Sequence, residues 1–141
     1  MALICDTSGL FALYDADDTH HAAVKVIVEA ESGPLFVPII LLAEIDYLFS
    51  TRLGDRATLD FLDSVDQAAF ILVAPTFEDM ARCRQLLEQY RDLKLGIADA
   101  SVIATAERLN IPRLLTLDQR HFRVVESVGG RRFTLLPADA P

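Results

Sequence analysis

Ala2-Leu3-Ile4-Cys5-Asp6-Thr7-Ser8-Gly9-Leu10 puts four apolar residues, one carboxylate and the opening of a helix within nine positions. A run apolar at every position suits a strand covered on both faces, which is the habit of parallel sheets. Residues 7–14 read as a helix set directly on the end of that strand. The alternation recurs outward. A helix is expected over 19–31, where Ala22, Val26 and Ala30 fall at i, i+4 and i+8 and Ser32-Gly33-Pro34 ends it. Residues 35–37 read as a short strand. Pro38 suits a first helical turn, where its missing N–H would be unpaired anyway, and the helix continues over 39–51 towards Gly54.

Residues 57–65 form an amphipathic helix, with Leu59, Leu62 and Val65 on one face and Asp60, Asp63 and Asp66 on a solvated one. Residues 68–74 read as a second buried strand bounded by Pro75. Thr76-Phe77-Glu78-Asp79 has the form of a capping box opening a helix to about Asp92. A helix over 97–109 is closed by Asn110 and Pro112. A third buried strand follows at 114–117, and Gly129-Gly130 turns the chain into 133–136.

Short apolar strands alternating with helices define an α/β fold: three layers, with a mostly parallel central sheet flanked by helices. No linker or repeat interrupts the 141 residues, so 1–141 is read as a single domain. At 52% hydrophobic and 24% charged, the chain is not of the disordered class. Its net charge of −8 excludes capture of polyanions by a diffuse basic field, so any role with nucleic acid needs a local site. Cys5 and Cys83 have neither disulfide-framework nor zinc-ribbon spacing and read as buried free thiols. The longest apolar run, 35–43, is half a membrane span and contains Pro38. With no signal-like N-terminus, no membrane association and a cytoplasmic location are expected.

Four of the 21 acidic residues stand apart. Asp6 and Asp118 follow strands, where the ligand crevice of an open α/β sheet lies. Glu44 has Ile40, Leu41, Tyr47 and Leu48 one turn away, and Asp99 has Leu95, Val102 and Ile103, so both are expected to point towards a core. A carboxylate facing a core is costly unless it is neutralised, hydrogen-bonded or bound to a metal ion. If the four converge within about 5 Å, each pair repels by roughly 3 kcal/mol at an effective dielectric of about 20. A divalent cation relieves that repulsion, and all-oxygen ligands select Mg²⁺ or Mn²⁺ over Zn²⁺. The competing reading makes Asp6 or Asp118 a plain helix cap and leaves Glu44 and Asp99 to core salt bridges. Neither Glu44 nor Asp99 has a lysine or arginine at helical contact spacing.

Asp6-Thr7-Ser8-Gly9-Leu10, Ala43-Glu44-Ile45, Gly96-Ile97-Ala98-Asp99-Ala100 and Thr116-Leu117-Asp118 resemble, in order and spacing, the PIN domain across essentially the whole chain. Within that family the chain is most similar to the VapC-type toxins. The resemblance implies an Mg²⁺- or Mn²⁺-dependent endoribonuclease acting on structured RNA such as tRNA or rRNA. It also implies a cognate antitoxin that holds the enzyme inactive, and a homodimer. The family's acidic positions fall on Asp6, Glu44, Asp99 and Asp118, all acids here. Asp6 and Asp99 would hold the metal, aided by Glu44 and Asp118. Thr7, Ser8 and Thr116 would supply hydroxyls beside the acids, with helix capping the competing role for at least one.

Six arginines between 108 and 136 face only Asp118 and Glu126, giving that segment +4 and the rest of the chain −12. Arg120, His121, Arg123, Arg131 and Arg132 are therefore candidate phosphate contacts, each against the alternative of a solubilising surface charge. His20 and His21, after an Asp-rich turn, read as surface residues. The surplus of apolar residues in 35–49 suggests a groove between the early helices for an antitoxin segment. A dehalogenase-type phosphatase would need a second aspartate where Ser8 stands. A phosphoreceiver would need a late lysine, and none occurs beyond Lys94. The alternative to an enzyme is a catalytically silent PIN-fold binding module whose acidic pocket receives a basic partner segment.

Overall fold

Each strand is only three or four residues long, yet together they form one continuous sheet. The computed structural model describes residues 1–141. In chain order the elements are β1 (Leu3–Cys5), α1 (Thr7–Tyr14), α2 (His21–Ala30), β2 (Leu35–Pro38), a 3₁₀ turn (Ile39–Leu41), α3 (Leu42–Arg52) and α4 (Arg56–Asp66). They continue as β3 (Ile71–Val73), α5 (Phe77–Gln89), a 3₁₀ turn (Arg91–Leu93), α6 (Ile97–Leu109), β4 (Arg113–Leu115), α7 (Gln119–Phe122) and β5 (Thr134–Leu136). The sheet order is β3-β2-β1-β4-β5 and every pairing is parallel. β1 therefore sits at the centre, with its successors β2 and β3 on one side and β4 and β5 on the other. That reversal of direction opens a crevice beyond the carboxyl ends of β1 and β4.

Leu3, Ile4, Cys5, Leu114 and Leu115 are fully buried, as strands covered on both faces require. The rings of Phe11, Tyr14, Phe49, Phe61 and Phe70 stack edge-on or tilted, with centroids 5.4–6.2 Å apart, and lock α1, α3 and α4 together. α1 lies almost on the backbone of β4. A Cβ at Gly9 would stand 2.6 Å from the Leu115 carbonyl oxygen, so only glycine lets helix and strand meet this closely.

The structure corrects three local expectations. Pro38 does not open a helix: it ends β2 in register with Val73, and its φ of −58° serves an extended residue as well as a helical one. β3 is not a buried strand, because it forms the edge of the sheet and leaves Ile71 exposed. Most of the apolar surplus in 35–49 goes to the core, where Val37, Leu41, Ile45 and Phe49 are buried, while Tyr47 remains exposed. Other expectations hold. Thr76 and Asp79 form the reciprocal capping box that opens α5. Asn110 adopts the left-handed conformation that closes α6. Cys5 and Cys83 are both free and buried. Separately from those expectations, no helix is long and apolar enough to cross a membrane.

Candidate active site

Asp6 leaves β1 and enters the crevice as the residue preceding α1, where it is 5% exposed. Two hydroxyls hold one of its oxygens. Thr116 Oγ1 donates to Asp6 Oδ2 at 2.8 Å, and Ser8 Oγ donates to the same atom at 3.1 Å. Each hydroxyl has one proton to give, and both are spent on Asp6. Their own oxygens then accept, Ser8 Oγ from the Leu117 amide at 2.9 Å and Thr116 Oγ1 from the Asp118 amide at 3.0 Å. The 3.2 Å between Ser8 and Thr116 is thus a contact rather than a third bond. The Thr7 backbone amide also favours the charged Asp6 carboxylate, and no side chain bonds its Oδ1. Burial, with the Asp99 charge adding to it, pushes the Asp6 carboxyl up to about 6 despite the two hydroxyls.

Asp99 lies in the first turn of α6, where its Oδ2 accepts from the Gly96 amide at 3.3 Å. Burial raises its pKa as well, and the like charges of Asp118 and Glu44 act in the same direction. Asp118 precedes α7, with Oδ1 accepting from the His121 amide at 3.0 Å. Its Oδ2 lies 2.7 Å from His121 Nδ1, which is also 3.9 Å from Asp99 Oδ2. Asp99, Asp118 and His121 each offer one ligand atom within 4.8 Å of the others. Its bond to Asp118 raises the His121 pKa, the expected answer of an imidazole to a carboxylate partner.

The structure thus joins Asp99 and Asp118 with His121, while Asp6 and Glu44 are near enough for charge to act between each of them and Asp99 but fall outside that 4.8 Å group. Glu44 departs from expectation. It is exposed rather than turned into a core, because the face packed inward carries Leu41, Ile45 and Phe49 and Glu44 falls to one side of it. Thr7 departs too: its hydroxyl is buried without a hydrogen-bond partner and touches none of the acids. His121, expected to meet phosphate, instead joins the acidic cluster. Its three-residue spacing from Asp118 was the available signal, since residues that far apart share a helix face.

Of the six late arginines, Arg108 pairs with Asp79, Arg113 with Glu31, Arg123 with Asp139 and Arg132 with Glu126. Arg120 and Arg131 are exposed and make no ion pair, so the free positive charge beside the crevice is smaller than the sequence sum.

The donor set fits a hard divalent cation. Its acids are carboxylates, the one imidazole among them has both ring nitrogens engaged by Leu93 and Asp118, and the like-charge pressure on Asp99 is of the kind a cation removes. Residues 3–127 match the PIN domain family. Ribonuclease VapC26 of Mycobacterium tuberculosis is 36% identical over 135 residues, covering 96% of this chain and all of that protein. The crystal structure of Mycobacterium tuberculosis VapC20, a sarcin-ricin loop cleaving toxin, superposes with a TM-score of 0.74. It has 20% identity and covers 82% of this chain and 89% of the other, a likeness of fold. With the family match spanning most of the chain and a relative this similar from end to end, the protein belongs to the PIN domain family, in its VapC branch.

Proposed function

We propose that this chain is a metal-dependent endoribonuclease, the toxin of a type II toxin-antitoxin pair, hydrolysing phosphodiester bonds in RNA. The carrying observation is the meeting of Asp99 and Asp118 beside a buried Asp6 whose carboxyl feels the Asp99 charge, in a chain similar throughout to a VapC ribonuclease. Asp6, Asp99 and Asp118, helped by Glu44, would hold Mg²⁺ or Mn²⁺. When bound, the ion supplies Lewis acidity towards the scissile phosphate and lowers the pKa of water.

The chain's own residues prepare that chemistry. Ser8 and Thr116 fix Asp6 Oδ2, and no side chain claims Oδ1. The amide of Gly96 and the first turn of α6 stabilise charge on Asp99. Glu44 is exposed and makes no ion pair, so its carboxylate is open to the solvent side. Arg120 and Arg131 are the arginines free to meet phosphates, while Arg123 and Arg132 would first have to leave Asp139 and Glu126.

A structured RNA such as tRNA or rRNA is the proposed substrate, a cognate antitoxin the proposed inhibitor, a homodimer the proposed assembly and the cytoplasm the proposed location. Cleavage of total RNA with Mg²⁺ or Mn²⁺ tests the reading. Wild type should cut, and Asp6→Ala and Asp99→Ala should not. Equal cleavage by all three overturns the proposal in favour of a silent binding module.

A further inference from the structure

His121 touches two parts of the molecule that are far apart in sequence. Its Nε2 lies 3.2 Å from the Leu93 carbonyl oxygen, in the 3₁₀ turn between α5 and α6, and its Nδ1 lies 2.7 Å from Asp118 Oδ2. Leu93 O only accepts, so Nε2 carries a hydrogen and anchors the ring to that turn. The Nδ1 contact then holds whichever of Nδ1 and Oδ2 bears the proton. His121 also reaches the other carboxylate oxygen through its own backbone amide, at 3.0 Å from Oδ1. One residue thus grips both oxygens of Asp118, and each oxygen keeps a second lone pair for another partner. The side chain is 20% exposed, which leaves little of the ring for a phosphate outside.

We propose that His121 is a positioning residue: its ring, tied to Leu93, sets the carboxylate of Asp118 at the angle the cation site needs. The proposal rests on the reading of the acidic crevice as a metal site. It replaces the expectation that His121 contacts RNA. Oriented carboxylate ligands commonly depend on such partners, whose loss costs about ten- to hundredfold in metal affinity or activity.

The test compares His121→Ala, His121→Asn and His121→Gln in the full chain. An asparagine amide falls near the place of Nδ1 and can still hold Asp118, whereas a glutamine amide falls near that of Nε2. Calorimetric titration with MnCl₂ alone reads the site without RNA, and steady-state cleavage reads kcat and KM separately. His121→Ala should lose about ten- to hundredfold in Mn²⁺ affinity and in kcat, with KM for RNA unchanged. Asn should recover most of both and Gln little. A raised KM with unchanged kcat and Mn²⁺ affinity would make His121 an RNA contact and overturn the proposal. So would an Asn variant no better than Gln, a comparison that decides the matter even where His121→Ala fails to fold. If the wild type binds Mn²⁺ and His121→Ala weakens that binding, yet neither cuts RNA, positioning stands and the ribonuclease reading fails.

Discussion

Thr116 Oγ1 donates to Asp6 Oδ2 at 2.8 Å, joining side chains 110 positions apart, of which Thr116 is fully buried and Asp6 5% exposed. The bond ties the end of β1 to the end of β4 at the point where the sheet changes direction. It also opposes the burial that holds the Asp6 carboxyl at about 6. Thr116→Val keeps the shape and removes the donor. Asp6 then retains its proton to higher pH, and the acidic limb of the kcat/KM profile should move above its wild-type position. A pH–rate series on both proteins checks this, and an unmoved limb would separate Asp6 from the titration that controls cleavage.

Stability should vary with pH in the direction opposite to that of an ordinary salt-bridged carboxylate. The folded pKa of Asp6 lies above its ordinary 3.8, so between there and about 6 the native state binds more protons than the unfolded one. Stability from this group is full below the unfolded value and is lost as pH rises through 6, by about 3 kcal/mol. Asp6→Asn should therefore raise the Tm in EDTA at pH 7.5 by several degrees, change it little at pH 4, and abolish cleavage. Mn²⁺ should raise the Tm of wild type more at pH 7.5 than at pH 5, because it binds the ionised form. Thermal melts at the two pH values decide both points.

How much was legible in the sequence depended on whether a residue's environment came from its near neighbours. Asp6 and Asp118 follow short apolar runs, and a carboxylate leaving a buried parallel strand reaches the crevice wherever the strand lies. Asp99 sits among apolar residues of α6 and is partly buried, as its neighbours imply. Glu44 has an equally apolar sequence setting, but which of its apolar neighbours face the core is a tertiary fact: Leu41 and Ile45 are buried and Tyr47 is exposed. β3 failed for the same reason, since an apolar run does not say whether it will be central or at an edge. The Leu93–His121 contact links residues 28 positions apart and had no local trace. The charge sum over the last segment was correct, yet four of its arginines are matched by acids, three of them outside that segment.

The unequal burial of the acids predicts unequal losses. Asp99 is partly buried and lies within 4.8 Å of Asp118 and His121, whereas Glu44 is exposed and outside that group. A carboxylate that water can partly replace contributes less than one enclosed by protein. Glu44→Gln should lower kcat about tenfold, and Asp99→Asn about a hundredfold or more, with the larger loss of Mn²⁺ affinity also in Asp99→Asn. Parallel kinetics and titrations with MnCl₂ test the order. Equal losses would mean that Glu44 turns inward when the site is loaded.

The free arginines and the paired ones should also part company on RNA. An arginine already neutralised by a carboxylate releases few counterions on meeting a phosphate, because its partner must be displaced first. Arg120, exposed beside His121 in α7 and without an ion pair, has no such partner. Arg120→Ala should raise KM with kcat unchanged and reduce the slope of log affinity against log salt by about 0.7, the single-strand value for one phosphate contact. Arg123 donates to both Asp139 Oδ2 and Gln119 Oε1, at 2.8 and 2.9 Å, so Arg123→Ala should leave the slope nearly as it is. Binding measured across a salt series separates the two variants. A larger slope change for Arg123 than for Arg120 would mean that RNA pulls Arg123 away from Asp139, and that the groove recognising substrate runs along the β5 side of the crevice.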